Sequence, residues 1–564
     1  MRGENRISGK SFVKVGILVT LAYFVWQVLW AVVTPPFQSP DEPLHFNSVL
    51  RVEATGEWPD PGDALVDQDV FTTVVESGFI EPDAQDFEAL SRTRIAGSTS
   101  AVYTDAFATT SITEHVNRSV IEYGANGSTE IVDQMTQHPP LFYVAAAKVM
   151  DVFGAQSWTW DRQLLLLRIF SAFLTIPLIP CTLFTARKLG IGRIGSVFIS
   201  VTTFAIPQLA FITGSLNNDS LAIGAGALTV AACAQAAFGK QNRWTVLAAG
   251  LALGLGLWSK GTFIPFGLIV ALSFVVNPSA GRIRVRLVRG FAAGIIGVLT
   301  GGWWWLRNLM LFGTLQPEGY QTEHLREGKR IWYFISKAVG NLSESSWGRF
   351  GWLNWNLPWV LLTGLALFTL WAVAHSLLRG HQKVQRFVLL GFYPLTIAML
   401  FVQAWNKYRE TGTVPGTQGR YLFPAVVALI VIAGAAWLPA LRRLATRRSQ
   451  WVFALPSVIA PSIAVFAAWA WAHACYPSTI SRVGINWMRW SEVAGFDVVW
   501  LKLLLAVAIL LVVASAAAPC VLMYQAAIAE AVDTAEEISA EAFEEWSHSA
   551  EVSQARSRDL VASE

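Results

Sequence analysis

Long apolar segments separated by short basic clusters constrain this chain more than any other feature. Runs of roughly twenty apolar residues recur along most of its length, and each is long enough to cross a bilayer as a helix. Of the 564 residues, 53% are hydrophobic and only 14% are charged, which is more apolar surface than an ordinary soluble domain buries. We therefore predict an all-α polytopic membrane protein. The net charge of +3 gives no support for nucleic-acid binding.

The order of these segments predicts about 12–13 transmembrane helices. The first covers about 12–33 and follows a basic N-terminus, which places that terminus in the cytoplasm. The basic clusters between later segments fall on the same side if the apolar helix after Pro140 is short or re-entrant. That arrangement gives twelve full spans, whereas a cytoplasmic loop around Trp158, Thr159 and Trp160 requires that helix to cross. The later spans lie near 163–186, 192–213, 217–238, 244–258, 262–277, 288–310, 357–378, 385–404, 421–440, 452–474 and 498–523.

The same pattern divides the chain into a transmembrane domain, 1–528, and an acidic tail, 529–564. Two long polar segments of the domain are predicted to be external loops, the first at about 35–137 and the second at about 312–356. The tail is rich in Ala, Glu and Ser, which is typical of a cytoplasmic helix or a disordered segment without chemistry.

Two adjacent carboxylates, Asp41 and Glu42, follow the first apolar segment within a proline-rich stretch, 34–47. Because proline fixes φ and restricts the residue before it, this stretch is predicted to be a stiff loop outside helix and strand. The acids would then lie at the mouth of the first span. Taken alone, such a pair is usually a solvated turn.

Other polar residues fall at the same predicted outer ends of spans. Each has an ordinary explanation: an Asn-Asp turn caps a helix, a lysine extends to water, and an arginine contacts lipid headgroups. Their predicted convergence with the two acids is what indicates a site. The residues are Asn218, Asp219, Lys260, Arg307, Arg420 and Tyr421, with His45 and His138 beside the first loop.

These residue types suit a reaction on a lipid-linked phosphate. Lys260, Arg307 and Arg420 would hold the charge of a phosphate leaving group. Asp41 or Glu42 would accept the proton of an attacking hydroxyl. With a single base and direct displacement, the configuration at the anomeric carbon would invert. The remaining candidates would bind the acceptor or shape the site: His45, His138, Asn218, Asp219 and Tyr421. Asp41, Asp219 and His138 also suit a divalent cation such as Mg or Mn, although their spacing does not demand one.

Four motifs carry a family resemblance: Pro40-Asp41-Glu42-Pro43-Leu44-His45-Phe46, Gln137-His138-Pro139-Pro140-Leu141-Phe142-Tyr143, Asn217-Asn218-Asp219-Ser220 and Gln418-Gly419-Arg420-Tyr421-Leu422-Phe423-Pro424. Together they resemble the GT-C superfamily of membrane glycosyltransferases, and most closely the bacterial multi-pass proteins grouped as domain-of-unknown-function family 2142. The resemblance implies a lipid-linked sugar donor and a juxtamembrane helix in the first loop. It maps the role of base or metal ligand onto Asp41, with Glu42 second, and it favours a full crossing after Pro140.

We therefore predict an inverting glycosyltransferase of the bacterial plasma membrane, with its active site facing outside. It would transfer a sugar from a polyprenyl-phosphate donor to a glycan, lipid or protein acceptor of the cell envelope. Two alternatives remain open, namely a flippase or transporter of a lipid-linked saccharide and a glycan polymerase or ligase with a diphosphate lipid donor. Ionisable residues at the ends of spans, and not in their middle, favour an enzyme over a transporter.

Overall fold

The computed structural model describes residues 8–79, 118–317, 328–447, 452, 454–478 and 480–561. Parts of both predicted external loops, 80–117 and 318–327, lie outside these residues. The described residues are mainly helical: α1 (Gly9–Val33), α2 (Glu42–Thr55), α3 (Gln68–Glu76), α4 (Leu141–Phe153), α5 (Trp160–Leu174), α6 (Leu178–Lys188), α7 (Arg193–Val201), α8 (Pro207–Thr213), α9 (Asp219–Phe238), α10 (Arg243–Leu257), α11 (Phe266–Val275), α12 (Ile283–Gly297), α13 (Trp303–Phe312), α14 (Ile331–Trp347), α15 (Trp359–Arg379), α16 (Lys383–Leu390), α17 (Phe392–Thr411), α18 (Val426–Arg447), α19 (Leu455–Cys475), α20 (Trp487–Ala494) and α21 (Val498–Val561). Two small antiparallel pairs accompany them: β1 (Leu65–Asp67) with β2 (Ser128–Val132), and β3 (Arg349–Phe350) with β4 (Trp355–Asn356).

Within the described residues, eight helical stretches are long and apolar enough to cross a membrane. A ninth results if α7 and α8, which bend by 72° at their junction, are one broken span. Pro207 begins α8, and its ring prevents α7 from continuing without a break. The prediction of an all-α polytopic membrane protein is confirmed. The stretches are Gly9–Val33, Trp160–Lys188, Asp219–Phe238, Trp359–Arg379, Lys383–Thr411, Gly419–Leu441, Leu455–Cys475 and Val498–Ala550.

This number is lower than the predicted 12–13, because some predicted spans form shorter helices. The segments predicted at 244–258 and 262–277 become α10, with 15 residues, and α11, with 10 residues. The segment predicted at 288–310 is divided between α12, with 15 residues, and α13, with 10 residues, joined by the π-helical turn Val298–Gly302. The apolar helix after Pro140, α4, has 13 residues. At about 1.5 Å per residue it is shorter than the roughly 30 Å hydrocarbon core of a bilayer. Its length agrees with the short helix that the charge pattern predicts.

Helix α9 lies at the centre of the bundle, since 83% of its apolar window is buried, the highest share of the eight. It packs against α6, α10, α11 and the short 3-10 helix Gly419–Ala425. Its Gly and Ala residues permit this close approach. A Cβ at Gly226 would overlap the carbonyl group of Pro424, and one at Gly224 would overlap that of Leu174. Gly226 therefore permits the close approach of the 419–425 segment, and Gly224 permits that of the end of α5.

The prediction that the whole proline-rich stretch 34–47 is a loop outside helix and strand is wrong, because α2 begins at Glu42. Pro43 lies in the first turn of α2, where a helix does not need the missing N–H. Asp41 precedes this turn with φ 62°, a left-handed conformation that Asp tolerates better than most residues. Only the residues up to Asp41 are therefore outside regular structure, and α2 is the juxtamembrane helix that the family resemblance implies.

A polar network holds the described part of the first loop against α2. Asp133, which follows β2, accepts a hydrogen bond from Asn47 at 2.7 Å and pairs with Arg51 at 3.1 Å. Arg51 also donates to the carbonyl oxygen of Leu65 in β1. At the other end of the chain, α21 continues through position 528, so the acidic tail is helical as far as Val561.

Candidate active site

Asp41 and Arg420 are 379 positions apart in the chain and form a direct ion pair. The Nη2 atom of Arg420 donates to Oδ2 of Asp41 at 2.7 Å. The Arg420 side chain is 4% exposed, whereas that of Asp41 is 25% exposed. The carboxylate of Asp41 is therefore both held by a cation and accessible from outside the protein.

Arg420 also faces a second acid, Asp219, with 3.6 Å between its Nε and the Oδ2 atom. The other oxygen of Asp219 accepts a hydrogen bond from Nζ of Lys260 at 2.7 Å. We call Asp41, Arg420, Asp219 and Lys260 the ionic cluster. The ring of Tyr421 lies beside both cations, 4.7 Å from Nζ of Lys260 and 5.3 Å from Cζ of Arg420. With two carboxylates and two cations, the ionic cluster is electrically balanced.

Each member of the ionic cluster lies at or next to a helix end. Asp219 is the first residue of α9, where the helix dipole favours a negative charge. Lys260 lies between α10 and the 3-10 helix Gly261–Phe263. Arg420 lies in the 3-10 helix that precedes α18. Because these helices pack side by side around α9, their ends bring distant residues together.

Two buried histidines adjoin the ionic cluster. Nδ1 of His45 and the hydroxyl of Tyr143 are 3.0 Å apart, and the two rings stack. Burial lowers the pKa of His45 well below its usual value, and the charges of Lys260 and Arg420 lower it further. Burial, followed by the charge of Lys260, likewise lowers the pKa of His138. Both imidazoles are therefore neutral at pH 7.

Glu42 has surroundings quite different from those of Asp41, although the two are adjacent. Its side chain is fully buried, and both oxygens bind Arg168, at 2.8 and 2.6 Å. Arg168 donates further hydrogen bonds to the carbonyl oxygens of Ala31, Thr34 and Pro35, where α1 ends. The guanidinium thus caps α1 and fixes the start of α2 at once.

Glu42 also accepts a hydrogen bond at 3.0 Å from the backbone N–H of Leu216, in the turn that leads to Asp219. The Glu42–Arg168 pair therefore connects the two segments that carry the acids of the ionic cluster. Arg168 is not among the residues that the sequence motifs indicate. The signal for it is an arginine inside an apolar span, which requires a buried partner.

Arg307 lies outside the ionic cluster. Its Nη2 atom pairs with Oδ1 of Asp60 at 2.7 Å, and the two side chains are 30% and 46% exposed. The guanidinium also packs over the ring of Trp304, 5.1 Å from its centre. The structure thus unites Lys260 and Arg420, but not Arg307, with the predicted acids.

The described residues contain no group of three or more His, Cys, Asp or Glu side chains that could hold a metal ion. Of the three residues that suit a cation in the sequence, Asp41 and Asp219 are each paired with a basic side chain. His138 is close enough for their charges to affect its pKa. A role for Mg or Mn stays a prediction.

The family model described as "Predicted membrane protein (DUF2142)" matches residues 24–429, which include the whole ionic cluster. The chain belongs to the DUF2142 family. The family predicted from the four motifs is therefore confirmed, and its description states a membrane location without an activity. No curated protein matches the sequence of this DUF2142 chain.

Several solved structures are similar to the DUF2142 chain. ArnT from Cupriavidus metallidurans bound to undecaprenyl phosphate has 15% identity and a TM-score of 0.45, over 92% of this chain and 76% of ArnT. The apo oligosaccharyltransferase of Archaeoglobus fulgidus has 12% identity and a TM-score of 0.44, over 83% of this chain and 57% of the oligosaccharyltransferase. AglB from the same organism, in complex with an inhibitory peptide and a dolichol-phosphate, has 11% identity and a TM-score of 0.42, over 83% and 56%. This chain thus covers less than two thirds of the archaeal proteins.

Proposed function

We propose that this protein is an inverting glycosyltransferase that takes a sugar from a polyprenyl-phosphate donor. The observation that carries the proposal is the ionic cluster, in which a partly exposed acid, Asp41, shares a buried arginine with the Asp219–Lys260 pair. A phosphate requires cations that are held in place, and a hydroxyl nucleophile requires a base. The cluster supplies both within one set of contacts.

In the proposed reaction the donor phosphate pairs with Arg420 and Lys260. An acceptor hydroxyl attacks the anomeric carbon from the face opposite the phosphate. The bond between this carbon and the phosphate oxygen breaks, its electron pair goes to that oxygen, and the hydroxyl proton goes to the carboxylate of Asp41. One displacement inverts the anomeric configuration, and the two cations stabilise the charge on the leaving phosphate.

Asp41 suits the role of base better than Glu42. Both oxygens of Glu42 are hydrogen-bonded within the protein, and its side chain has no exposed surface. Asp41 has one oxygen bound to Arg420 and 25% of its side chain exposed. When a phosphate takes the place of this carboxylate on Arg420, Asp41 becomes free to accept a proton.

An apolar cavity supports a lipid-linked donor. It has a volume of about 420 Å³ and is lined by Trp347, Phe368 and Trp437, among other apolar residues. Trp347 ends α14, and Ser345 of this helix accepts a hydrogen bond from the N–H of Gly419, the residue before Arg420. We propose that the cavity holds part of the polyprenyl chain while the phosphate lies at Arg420.

The proposed orientation follows the positive-inside rule. The basic clusters, such as 187–193 and 282–289, would face the cytoplasm together with the N-terminus. The ionic cluster would then face the outside of a bacterial plasma membrane, where the acceptor would be an envelope glycan, lipid or protein. A glycan polymerase or ligase would use the same cations with a diphosphate donor, and a flippase would move its lipid without any transfer.

The test is sugar transfer in membranes from a panel of polyprenyl-phosphate hexoses. We expect Asp41→Asn to lower transfer at least about 100-fold, because a general base contributes 10²–10⁴-fold. Expression and donor binding should be nearly unchanged. The matched control is Asp60→Asn, which also removes a partly exposed acid paired with an arginine and should keep transfer.

Full activity in Asp41→Asn, with loss in Glu42→Gln, would move the base by one residue. Transfer from diphosphate donors alone would identify a polymerase or ligase. Movement of the lipid across the bilayer without any transfer would identify a flippase.

A further inference from the structure

Among the described residues, four buried polar atoms in and beside the ionic cluster have no hydrogen-bond partner. Two of them, Oδ2 of Asp219 and Nε of Arg420, face each other across 3.6 Å. The other two, Nδ1 of His138 and Oδ1 of Asn218, belong to residues that are 6% and 0% exposed. Because buried polar atoms are nearly always hydrogen-bonded in folded proteins, these two acceptors indicate a missing partner.

His138 and Asn218 both lie near Lys260. Asp219 pairs with Lys260 directly. The amide of Asn218 donates to the carbonyl oxygen of Ser259, the residue before Lys260, at 3.4 Å. Gln137, the residue before His138, accepts a hydrogen bond from Gln316 at 3.3 Å, and the Gln316 side chain lies against Gly261, the residue after Lys260. A ligand bound at Lys260 would therefore lie beside both His138 and Asn218.

The chemistry of these atoms defines what the missing partner offers. Amide and carboxylate oxygens only accept hydrogen bonds, and a neutral imidazole accepts through one of its nitrogens. Lys260 and Arg420, by contrast, only donate. The site thus has a donating half and an accepting half. A phosphate brings acceptors for the first half, and a sugar brings hydroxyl donors for the second.

We propose that Nδ1 of His138 and Oδ1 of Asn218 accept hydrogen bonds from hydroxyl groups of the donor saccharide, next to the phosphate on Lys260 and Arg420. The proposal rests on the proposed function and names the part of the site that recognises the sugar. It assigns His138 the tautomer with its proton on Nε2.

The experiment measures binding of two probes to the protein in nanodiscs. One probe is polyprenyl phosphate. The other is a polyprenyl-phosphate hexose, chosen from those of glucose, mannose and galactose as the one that the wild-type protein binds most tightly. We expect His138→Phe to weaken binding of the hexose probe about five- to tenfold, the effect of one lost hydrogen bond, and to leave polyprenyl phosphate unchanged. His138→Gln, which keeps an acceptor, should restore most of the affinity.

The matched control is His473→Phe, because Nδ1 of His473 already has a partner, the carbonyl oxygen of Gly484 at 2.8 Å. This variant should bind both probes like wild type. If His138→Phe weakens both probes equally or neither, the sugar-recognition proposal is wrong while the transferase stands. If wild type binds neither probe, or Arg420→Ala binds both as tightly as wild type, the proposed function fails and this proposal with it.

Discussion

Adjacent acids, Asp41 and Glu42, enter two ion pairs, one partly exposed and one fully buried, that differ in how many of their hydrogen-bonding positions are occupied. Glu42 binds Arg168 through both oxygens, and Arg168 donates further bonds to the end of α1. Asp41 binds Arg420 through one oxygen and keeps a quarter of its surface exposed. The hydrogen-bonding positions of the first pair are occupied by the protein itself, whereas the second pair can also bind a ligand. One acid of the motif therefore fixes the backbone, and its neighbour is left available for chemistry.

This difference has a physical basis in the low dielectric of the interior. A buried polar network in which every group is satisfied is rigid and specifies one structure. A network with unpaired atoms is less stable alone, and a ligand can complete it. The Glu42–Arg168 pair is of the first kind. The ionic cluster is of the second, because Oδ2 of Asp219 and Nε of Arg420 face each other at 3.6 Å and neither has a hydrogen-bond partner among the described residues.

The largest effect on stability is expected from Arg168→Ala. The variant leaves Glu42 as an unpaired buried carboxylate, which typically destabilises a protein by about 3–5 kcal/mol. Thermal unfolding in detergent should show a large drop in midpoint or loss of folded protein. Arg162→Ala, an exposed position on the same helix, is the control and should change stability by less than about 0.5 kcal/mol. A wild-type midpoint for Arg168→Ala would contradict the role given to this pair.

The next effect concerns donor binding. Arg420→Ala removes hydrogen bonds to a charged phosphate, each worth about 1.5–3 kcal/mol, so the KM for a polyprenyl-phosphate sugar should rise about 10- to 100-fold. Folding should suffer less than in Arg168→Ala, because the Asp41 left behind is partly exposed. Kinetics in nanodiscs would measure the change. An unaltered KM would remove Arg420 from the phosphate site.

A smaller effect should appear in the pH dependence of stability. The pKa of His138 in the folded protein lies well below its usual 6.5, chiefly through burial. Below pH 6.5 the unfolded chain therefore binds a proton that the folded chain does not. This contribution to stability is full above pH 6.5 and is lost as the pH falls toward the folded pKa. The unfolding midpoint should fall between pH 7 and pH 5, and less so in His138→Phe. Equal slopes for the two proteins would refute the assignment of a neutral His138.

The smallest effect is expected from Arg307→Ala. Arg307 and Asp60 form a partly exposed pair, and such pairs contribute about 0–1 kcal/mol. Stability should stay within about 1 kcal/mol of wild type, and the KM should stay within about twofold, less than the loss of any direct phosphate contact. The variant is thus the arginine control for Arg420→Ala. A rise in KM as large as that of Arg420→Ala would return Arg307 to the phosphate site.

Much of this arrangement could be predicted from the sequence. Apolar runs indicate a membrane bundle, and charges at the ends of these runs indicate where polar residues meet. Asp41, Asp219, Lys260 and Arg420 share this signal, and the structure brings them together. The buried pairing of Glu42 with Arg168 could not be predicted, because no local sequence pattern indicates which of two adjacent acids faces Arg168.

The extent of α2, the packing around α9 and the partner of Arg307 were harder to predict. Proline is compatible with both a loop and the first turn of a helix, so Pro43 alone does not decide where α2 begins. Small residues in α9 permit close packing, but the sequence does not say against what. Arg307 resembles Arg420 in its position at a span end, and only the folded first loop places Asp60 beside it.

A density map of the purified protein with polyprenyl phosphate would show directly where the phosphate binds. We expect the phosphate within hydrogen-bond distance, about 3 Å, of both Arg420 and Lys260, with Asp41 facing the space beside it. A phosphate bound at Arg307 or elsewhere, with the Asp41–Arg420 and Asp219–Lys260 pairs unchanged, would contradict this expectation.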